Sequence, residues 1–199
     1  MSECDNRSQI PAKLLACAKT EFFANGYASA NVGNIATACG MSKKTIYKYV
    51  ASKEELFFVV VAEALSHPRA SLDKISPHQE HVVRLEAYLE AFSTLALSID
   101  GVTSYRLIMS EGIRFPTLAR TYVNTVRDLG IRPLVDELVL YCESRQIKLE
   151  NPMNAAEMLI SMVIAEPLRD ATLGLIPLPD KSEIRQRVVE SMKIFLHGI

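Results

Sequence analysis

Apolar residues return every three or four positions along almost the whole chain, and no segment alternates apolar with polar over a strand's length. Ile10, Leu14, Leu15, Ala18, Phe22 and Phe23 trace a first helical stripe, and Asn25-Gly26 behind it is a C-cap sequence. Asn31 can cap a short second helix whose Val32, Ile35, Ala36 and Cys39 face inward until Gly40 stops it. Ser42 then caps a third helix, expected over residues 43–49. Ser52-Lys53-Glu54-Glu55 reads as a capping box opening a fourth, whose apolar run 56–61 continues to Leu65 before Pro68 marks its end.

Beyond a polar link over residues 66–77, Val82, Leu85, Leu89, Phe92, Ala96 and Ile99 predict a fifth helix closed by Asp100-Gly101. A shorter sixth is expected over 102–112, and Phe115-Pro116 restarts the chain with proline in a first turn. The seventh, residues 117–141, carries Gly130 and Pro133, which should kink or break it. Pro152 opens an eighth through Ala155, Met158, Leu159, Met162 and Val163, with a kink expected at Pro167. Residues 173–179 read as a loop, and Ile184, Val188, Met192 and Phe195 form the last stripe. The expected architecture is all-α, with about nine helices.

Hydrophobic residues make up 49% and charged residues 23% of the 199 positions, the balance of a chain that folds around a core without disulfides or a structural metal. The longest uncharged stretch, residues 22–42, is broken by Asn, Ser, Thr and Gly and is no membrane span. Residues 1–7 are polar and carry both signs, unlike a secretory leader, so a cytoplasmic protein with no membrane partner is expected. Cys4, Cys17, Cys39 and Cys142 stand far apart with no C-x-x-C, and lone cysteines of this kind usually pack as small hydrophobes, redox sensing being the minority role.

Net charge is −1, but it is unevenly placed: Lys43, Lys44, Lys48 and Lys53 fall within residues 40–53 with no acid among them, while 67–199 carries 15 basic and 17 acidic residues. A compact positive patch on a neutral body is what docking on phosphate requires. No phosphate-binding glycine loop, zinc-protease helix or serine elbow occurs, so no catalytic residue and no cofactor is assigned. His78 and His81, three apart at a helix start, can both face a metal, but no cysteine completes the set and a solvated first turn is the simpler reading.

Three short helices followed by a long one make a helix-turn-helix arrangement. Gly40 gives the turn its backbone freedom, and Met41 and Ile46 are spaced to pin the third helix on the first two. The remaining face shows Lys43, Lys44, Thr45, Tyr47 and Lys48, a mixture suited to the major groove: lysines for phosphate and guanine, threonine for base edges and the thymine methyl. The same stretch resembles the TetR-type, or tetracycline-repressor-like, transcriptional regulators. Phe22-Phe23 with Asn25-Gly26-Tyr27, Val32-x-x-Ile35-Ala36, Cys39-Gly40-Met41-Ser42, Thr45-Ile46-Tyr47-x-Tyr49 and Ser52-Lys53-Glu54-Glu55-Leu56 carry the likeness, a linked series over some fifty residues.

The resemblance implies a helix-turn-helix DNA-binding domain over 1–51, joined through helix four (52–66) to a helical ligand-binding and dimerisation domain over 67–199. It also implies a homodimer on a palindromic operator. Ser42, Lys43, Lys44, Thr45, Tyr47, Lys48 and Tyr49 fall on the family's recognition helix and Lys53 on its phosphate-contacting lysine. Two departures are visible: Ala30-Asn31 stands where two hydroxyl residues are usual, and Gly33-Asn34 replaces a polar or charged pair, leaving Asn31 and Asn34 as substitutes there.

For the effector, helices five to seven offer Tyr88, Phe92, Tyr105, Met109 and Phe115, then Tyr122, Val126, Leu138 and Tyr141, as an apolar wall with Leu95, Leu107 and Ile108. Arg106, Glu111 or Asn124 would orient a sizeable, mostly apolar molecule. Such residues at helical spacing are as readily core. Leu159, Met162, Val163, Val188, Met192 and Phe195, on helices eight and nine, are the expected dimer face, in the four-helix bundle of the family's arrangement. The function expected is a ligand-responsive regulator, most simply a repressor. The alternative is a helical small-molecule-binding protein or enzyme with no DNA role.

Overall fold

The computed structural model describes residues 10–72 and 79–198, which leaves His78 and Cys4 outside it. Every regular element among the described residues is helical: α1 (Ala12–Ser29), α2 (Val32–Cys39), α3 (Lys43–Ile46), α4 (Lys53–Leu72), α5 (His81–Ala96), α6 (Ile99–Glu111), α7 (Pro116–Thr125), α8 (Arg132–Ser144), α9 (Pro152–Leu173) and α10 (Lys181–Gly198). A six-residue π-helical stretch, Val126–Ile131, lies between α7 and α8, so helical assignment continues through Gly130 to Pro133 in the first turn of α8, where a kink or break is expected.

Three boundaries differ from the sequence expectation. α4 runs through Pro68 to Leu72, because a proline deletes one i→i−4 bond and leaves its neighbours' bonds in place. The recognition segment is α-helical only over Lys43–Ile46; the amides of Lys48 and Tyr49 bond to Thr45 and Ile46, three residues back, so its last turn is tighter. The fifth helix closes at Ala96 instead of at Asp100-Gly101, and Gly101 sits in the first turn of α6. There the Ser98 hydroxyl donates to the Leu95 carbonyl at 2.7 Å and accepts from the Gly101 amide at 3.1 Å. A Cβ on Gly101 would stand 2.3 Å from the Leu95 oxygen, so this glycine serves close approach and not helix termination.

The chain divides into two compact units, Met1–Ala64 with Arg106–Thr125, and Leu65–Tyr105 with Val126–Ile199. Residues 106–125, which the sequence expectation places in the second domain, lie in the first unit. The first unit closes around Leu14, Phe22, Ile35, Ile46, Leu56 and Phe57, all within 1% of complete burial. The second closes around Leu85, Leu89, Leu134, Leu138, Ala156 and Val188. Across it Arg84 forks onto Glu137, its Nε donating to Oε2 at 2.8 Å and Nη2 to Oε1 at 2.5 Å.

Leu159, Val163, Val188 and Met192, four of the six residues expected at a dimer face, are instead buried within their own chain. The stripe is real, but it is turned toward α5 and α8, the neighbours that need covering. Met162 alone of the six is exposed, with Phe195 half-buried.

Two backbone interruptions in this unit are matched by side chains. Beside Pro133, the Tyr88 hydroxyl donates at 2.6 Å to the buried Gly130 carbonyl of the π-helical stretch. In α9, Pro167 has no N–H to offer Val163, four residues back, and Arg187 of α10 donates its Nε to that carbonyl at 3.0 Å while Nη2 reaches Glu166 at 3.1 Å. Arg187→Met should lower stability by about 1–2 kcal/mol, the cost of an unmet charged hydrogen bond. The loss should shrink in a Pro167→Ala background, where residue 167 again supplies an amide. Denaturant unfolding of the four proteins in this cycle measures it, and equal losses in both backgrounds would dismiss the pairing.

Candidate nucleic-acid interface

The first unit is built around the end of α1. At Gly26 the chain leaves helical geometry with φ +72°, and the turn runs on to Ala30. A helix end leaves carbonyls without partners, and Lys53 supplies them: its Nζ donates to Tyr27, Ala28 and Ala30 carbonyls at 2.7, 3.2 and 3.1 Å. The same ammonium stands 4.6 Å above the Tyr27 ring. From α6, Glu111 Oε1 accepts the Ala28 amide at 3.1 Å and lies 3.3 Å from where a Cβ on Gly26 would be. Tyr27 stacks on Phe22 and meets Phe57 and Phe115 edge-on, the last at 5.2 Å.

The sequence expectation gives Lys53 a phosphate and Glu111 an effector to contact; in the structure both side chains hydrogen-bond to backbone at this joint. A signal for Lys53 exists in the sequence: a cation in the first turn of a helix opposes the macrodipole and needs compensating partners. Glu111 is reached only through a fold that brings α6 to α1, a pairing the sequence does not announce.

The helix-turn-helix follows from local caps. Asn31 Oδ1 accepts the Gly33 amide at 2.7 Å and opens α2; Gly40, φ +70°, closes it in the left-handed region. Ser42 Oγ accepts the Thr45 amide at 3.0 Å and opens α3. Glu21 of α1 draws α2 in, accepting the Asn31 amide at 3.0 Å and the Asn34 side chain at 3.1 Å. The Asn31 amide bond chiefly holds the Glu21 carboxyl below its ordinary value. Asn31 and Asn34, the substitutes for missing phosphate contacts, thus already serve as cap and tether.

Ile46 is fully buried and fixes the orientation of α3, which leaves Ser42, Lys43, Lys44, Tyr47 and Lys48 exposed on one short segment, with Thr45 and Tyr49 half-buried. Lys43 leans back over the start of α2: a Cβ on Gly33 would stand 2.6 Å from its Cε. The Thr45 hydroxyl shares a 2.8 Å hydrogen bond with Ser42 Oγ, which holds it in the first turn. Two hydrogen bonds complete the entry of α4: Ser52 Oγ accepts the Glu55 amide at 3.0 Å, and Glu55 accepts the Ala51 amide at 2.5 Å, one residue earlier than a standard capping box.

The expected effector wall is distributed between the units. Tyr88, Phe92 and Leu138 are buried in the second, where Tyr105, Val126 and Tyr141 are half-buried. Phe115 and Tyr122, half-buried, and the exposed Arg106 and Met109 belong to the first. Tyr88 and Leu138 are core residues, Tyr88 with its hydroxyl engaged on Gly130. Among the described residues no group of three His, Cys, Asp or Glu is arranged to hold a metal ion.

Residues 14–60 match the family of bacterial regulatory proteins called tetR, and residues 83–198 match the C-terminal domain of AefR-like transcriptional repressors. The uncharacterized HTH-type transcriptional regulator YfiR of Bacillus subtilis (strain 168) is 27% identical over 86 residues, 43% of this chain and 42% of that protein. The alignment thus spans less than half the length of that relative. The flavonoid-responsive regulator FrrA superposes with a TM-score of 0.70 at 26% identity, over 98% of this chain and 97% of that one. The fatty acid degradation regulator FadR from Bacillus halodurans does so at 0.69 and 16% identity, over 94% and 98%, and shares the fold.

Two outcomes follow from the joint. Lys53→Met strands three carbonyls and should cost about 1–3 kcal/mol of stability, read by thermal or denaturant unfolding; a loss of DNA binding at unchanged stability would return Lys53 to a phosphate role. Burial, with Glu54 adding, pushes the Tyr27 phenol up from 10.0 to about 12. The fold favours the neutral phenol, so this contribution is complete below the unfolded value and is lost as pH rises through the folded one. In a phenolate absorbance titration one of the seven tyrosines should ionise last, and that step should vanish in Tyr27→Phe.

Proposed function

As the chain belongs to the tetR family of bacterial regulatory proteins, with a C-terminal domain of the AefR-like repressor type, we propose that it is a ligand-responsive repressor acting in the cytoplasm. A homodimer would hold a palindromic operator and release it when a small, largely apolar effector binds. The observation that carries this reading is the recognition segment: a capped four-residue helix pinned by buried Ile46 that offers Lys43, Lys44, Lys48 and Tyr47, the tyrosine 48% exposed, to an incoming duplex. Lysines give affinity through phosphate and counterion release, and Thr45, held in the first turn, is the residue closest in kind to a base reader.

An effector of mostly apolar character is in keeping with the flavonoid-responsive relative. The dimer face is best assigned to apolar residues that the chain leaves uncovered, Met158, Met162 and Leu173 on α9 with Val189 and Ile194 on α10. A stable pairing there would bury roughly 2,000 Å² or more. Membrane residence receives no support, since no described helix is long and apolar enough to cross one.

Retardation of random duplex DNA at low salt, relieved steeply as salt rises, separates this reading from a helical binding protein or enzyme with no DNA role. Lys44→Ala and Lys48→Ala should each lower the salt slope by about one unit per site, roughly two per dimer. Thr45→Ala should change the operators selected from a random pool, and identical selected motifs would confine Thr45 to capping. Light scattering should give a dimer mass that Met158→Glu with Ile194→Glu converts to monomer; a dimer surviving both changes would move the interface elsewhere.

A further inference from the structure

Gly33 is the second residue of α2, and nothing in its backbone calls for a glycine. Its φ lies outside the left-handed region that Gly26 and Gly40 occupy. Its amide donates to Asn31 Oδ1 at 2.7 Å and its carbonyl accepts the Thr37 hydroxyl at 3.1 Å, bonds that alanine would make equally. Glycine inside a helix gives up stability relative to alanine, and what it provides here is space. Lys43, the first residue of α3, takes that space: a Cβ on Gly33 would stand 2.6 Å from Lys43 Cε and 3.0 Å from its Nζ. The lysine could not stay where it is beside even a methyl group.

The neighbouring helix has a use for the charge. Among residues 32–39 of α2 there is no lysine or arginine, and Asn31 and Asn34 are engaged as cap and tether. In a helix-turn-helix the first helix crosses the phosphate backbone while the second enters the major groove. An ammonium drawn back over the start of α2 is therefore moved from the helix that reads bases to the helix that meets phosphate. The Ser42 cap fixes the Lys43 backbone, so the free choice is the direction of its side chain, back over α2 or outward beside Lys44 and Lys48.

We propose that Gly33 is a positioning residue for DNA binding: its missing side chain seats Lys43 on α2 and assigns that lysine to a phosphate, leaving base readout to the rest of α3. The assignment to phosphate rests on the DNA-binding reading; the seat itself does not.

The test is a cycle of four full-length proteins: wild type, Gly33→Ala, Lys43→Ala and the double variant. Lys43→Ala should lower the salt slope for random duplex DNA by about one unit per site, roughly two per dimer, and leave the operators selected from a random pool unchanged. Gly33→Ala should melt no lower than wild type, yet retain random DNA several-fold more weakly and select altered operators, because the displaced ammonium now reaches base edges. With Lys43 already removed, Gly33→Ala should change neither retention nor motif.

An equal loss in both backgrounds would mean that Gly33 makes room for the duplex itself, and would overturn the proposal. So would a Gly33→Ala protein with unaltered DNA binding, or one that melts lower than wild type and so returns Gly33 to a structural role. A motif changed by Lys43→Ala alone would make Lys43 a base reader and overturn its assignment to phosphate. The seat is read separately, without DNA, as a nuclear Overhauser contact between Gly33 Hα and Lys43 Hε; its absence in wild type would overturn the placement. Wild-type protein that retains no DNA would sink the repressor reading instead, leaving the seat to stand or fall on that contact alone.

Discussion

One ammonium holds the DNA-facing unit together. Where α1 ends at Gly26, three backbone carbonyls point into a space that neither helix continuation nor a neighbouring amide fills, and Lys53 occupies it. Because Lys53 opens α4, the bond ties the start of that helix to the end of α1. Because Glu111 takes the Ala28 amide at the same place, α6 joins from the other side. The aromatic rings of Phe22, Tyr27, Phe57 and Phe115 then close around the joint with little room for repacking. The helix-turn-helix can present a rigid surface because its supports are anchored to backbone groups, which have fewer ways to move than side chains.

The second unit solves a related problem differently. Its helices carry internal prolines and a π-helical stretch, each of which disturbs the backbone ladder in a place that water does not easily serve. Arg187 answers the carbonyl that Pro167 leaves open, and Tyr88 answers Gly130. Both donors come from a different helix than the carbonyl they bind, so each repair also fixes how two helices are set against one another. Together with the Arg84–Glu137 fork between α5 and α8, these polar contacts select one arrangement among several that apolar packing alone would permit.

Local chemistry is legible at most of the caps, Asp100-Gly101 being the exception. The caps at Asn31, Ser42 and Ser52, the left-handed glycine at position 40 and the buried stripe of α2 follow from short-range rules, and all are present where the sequence places them. The positive recognition segment is legible for the same reason: a four-residue helix with Ile46 turned inward can only turn its lysines outward. Length is less legible than identity. Pro68 looks like a terminator and Pro167 like a kink, yet each removes only one hydrogen bond and the helix is assigned past both.

The sequence by itself determined the all-α class, the helix-turn-helix, its exposed lysines and the family to which they belong, since each depends on residues within a turn or two of one another. Tertiary structure alone decided which apolar stripe faces inward, because Leu159, Val163, Val188 and Met192 have the same periodicity whether they meet a second copy or their own chain. It likewise decided that Lys53 and Glu111 converge on the end of α1, contacts between residues distant in sequence that no local spacing encodes. Periodicity specifies that a face is buried; only the neighbouring helix specifies against what.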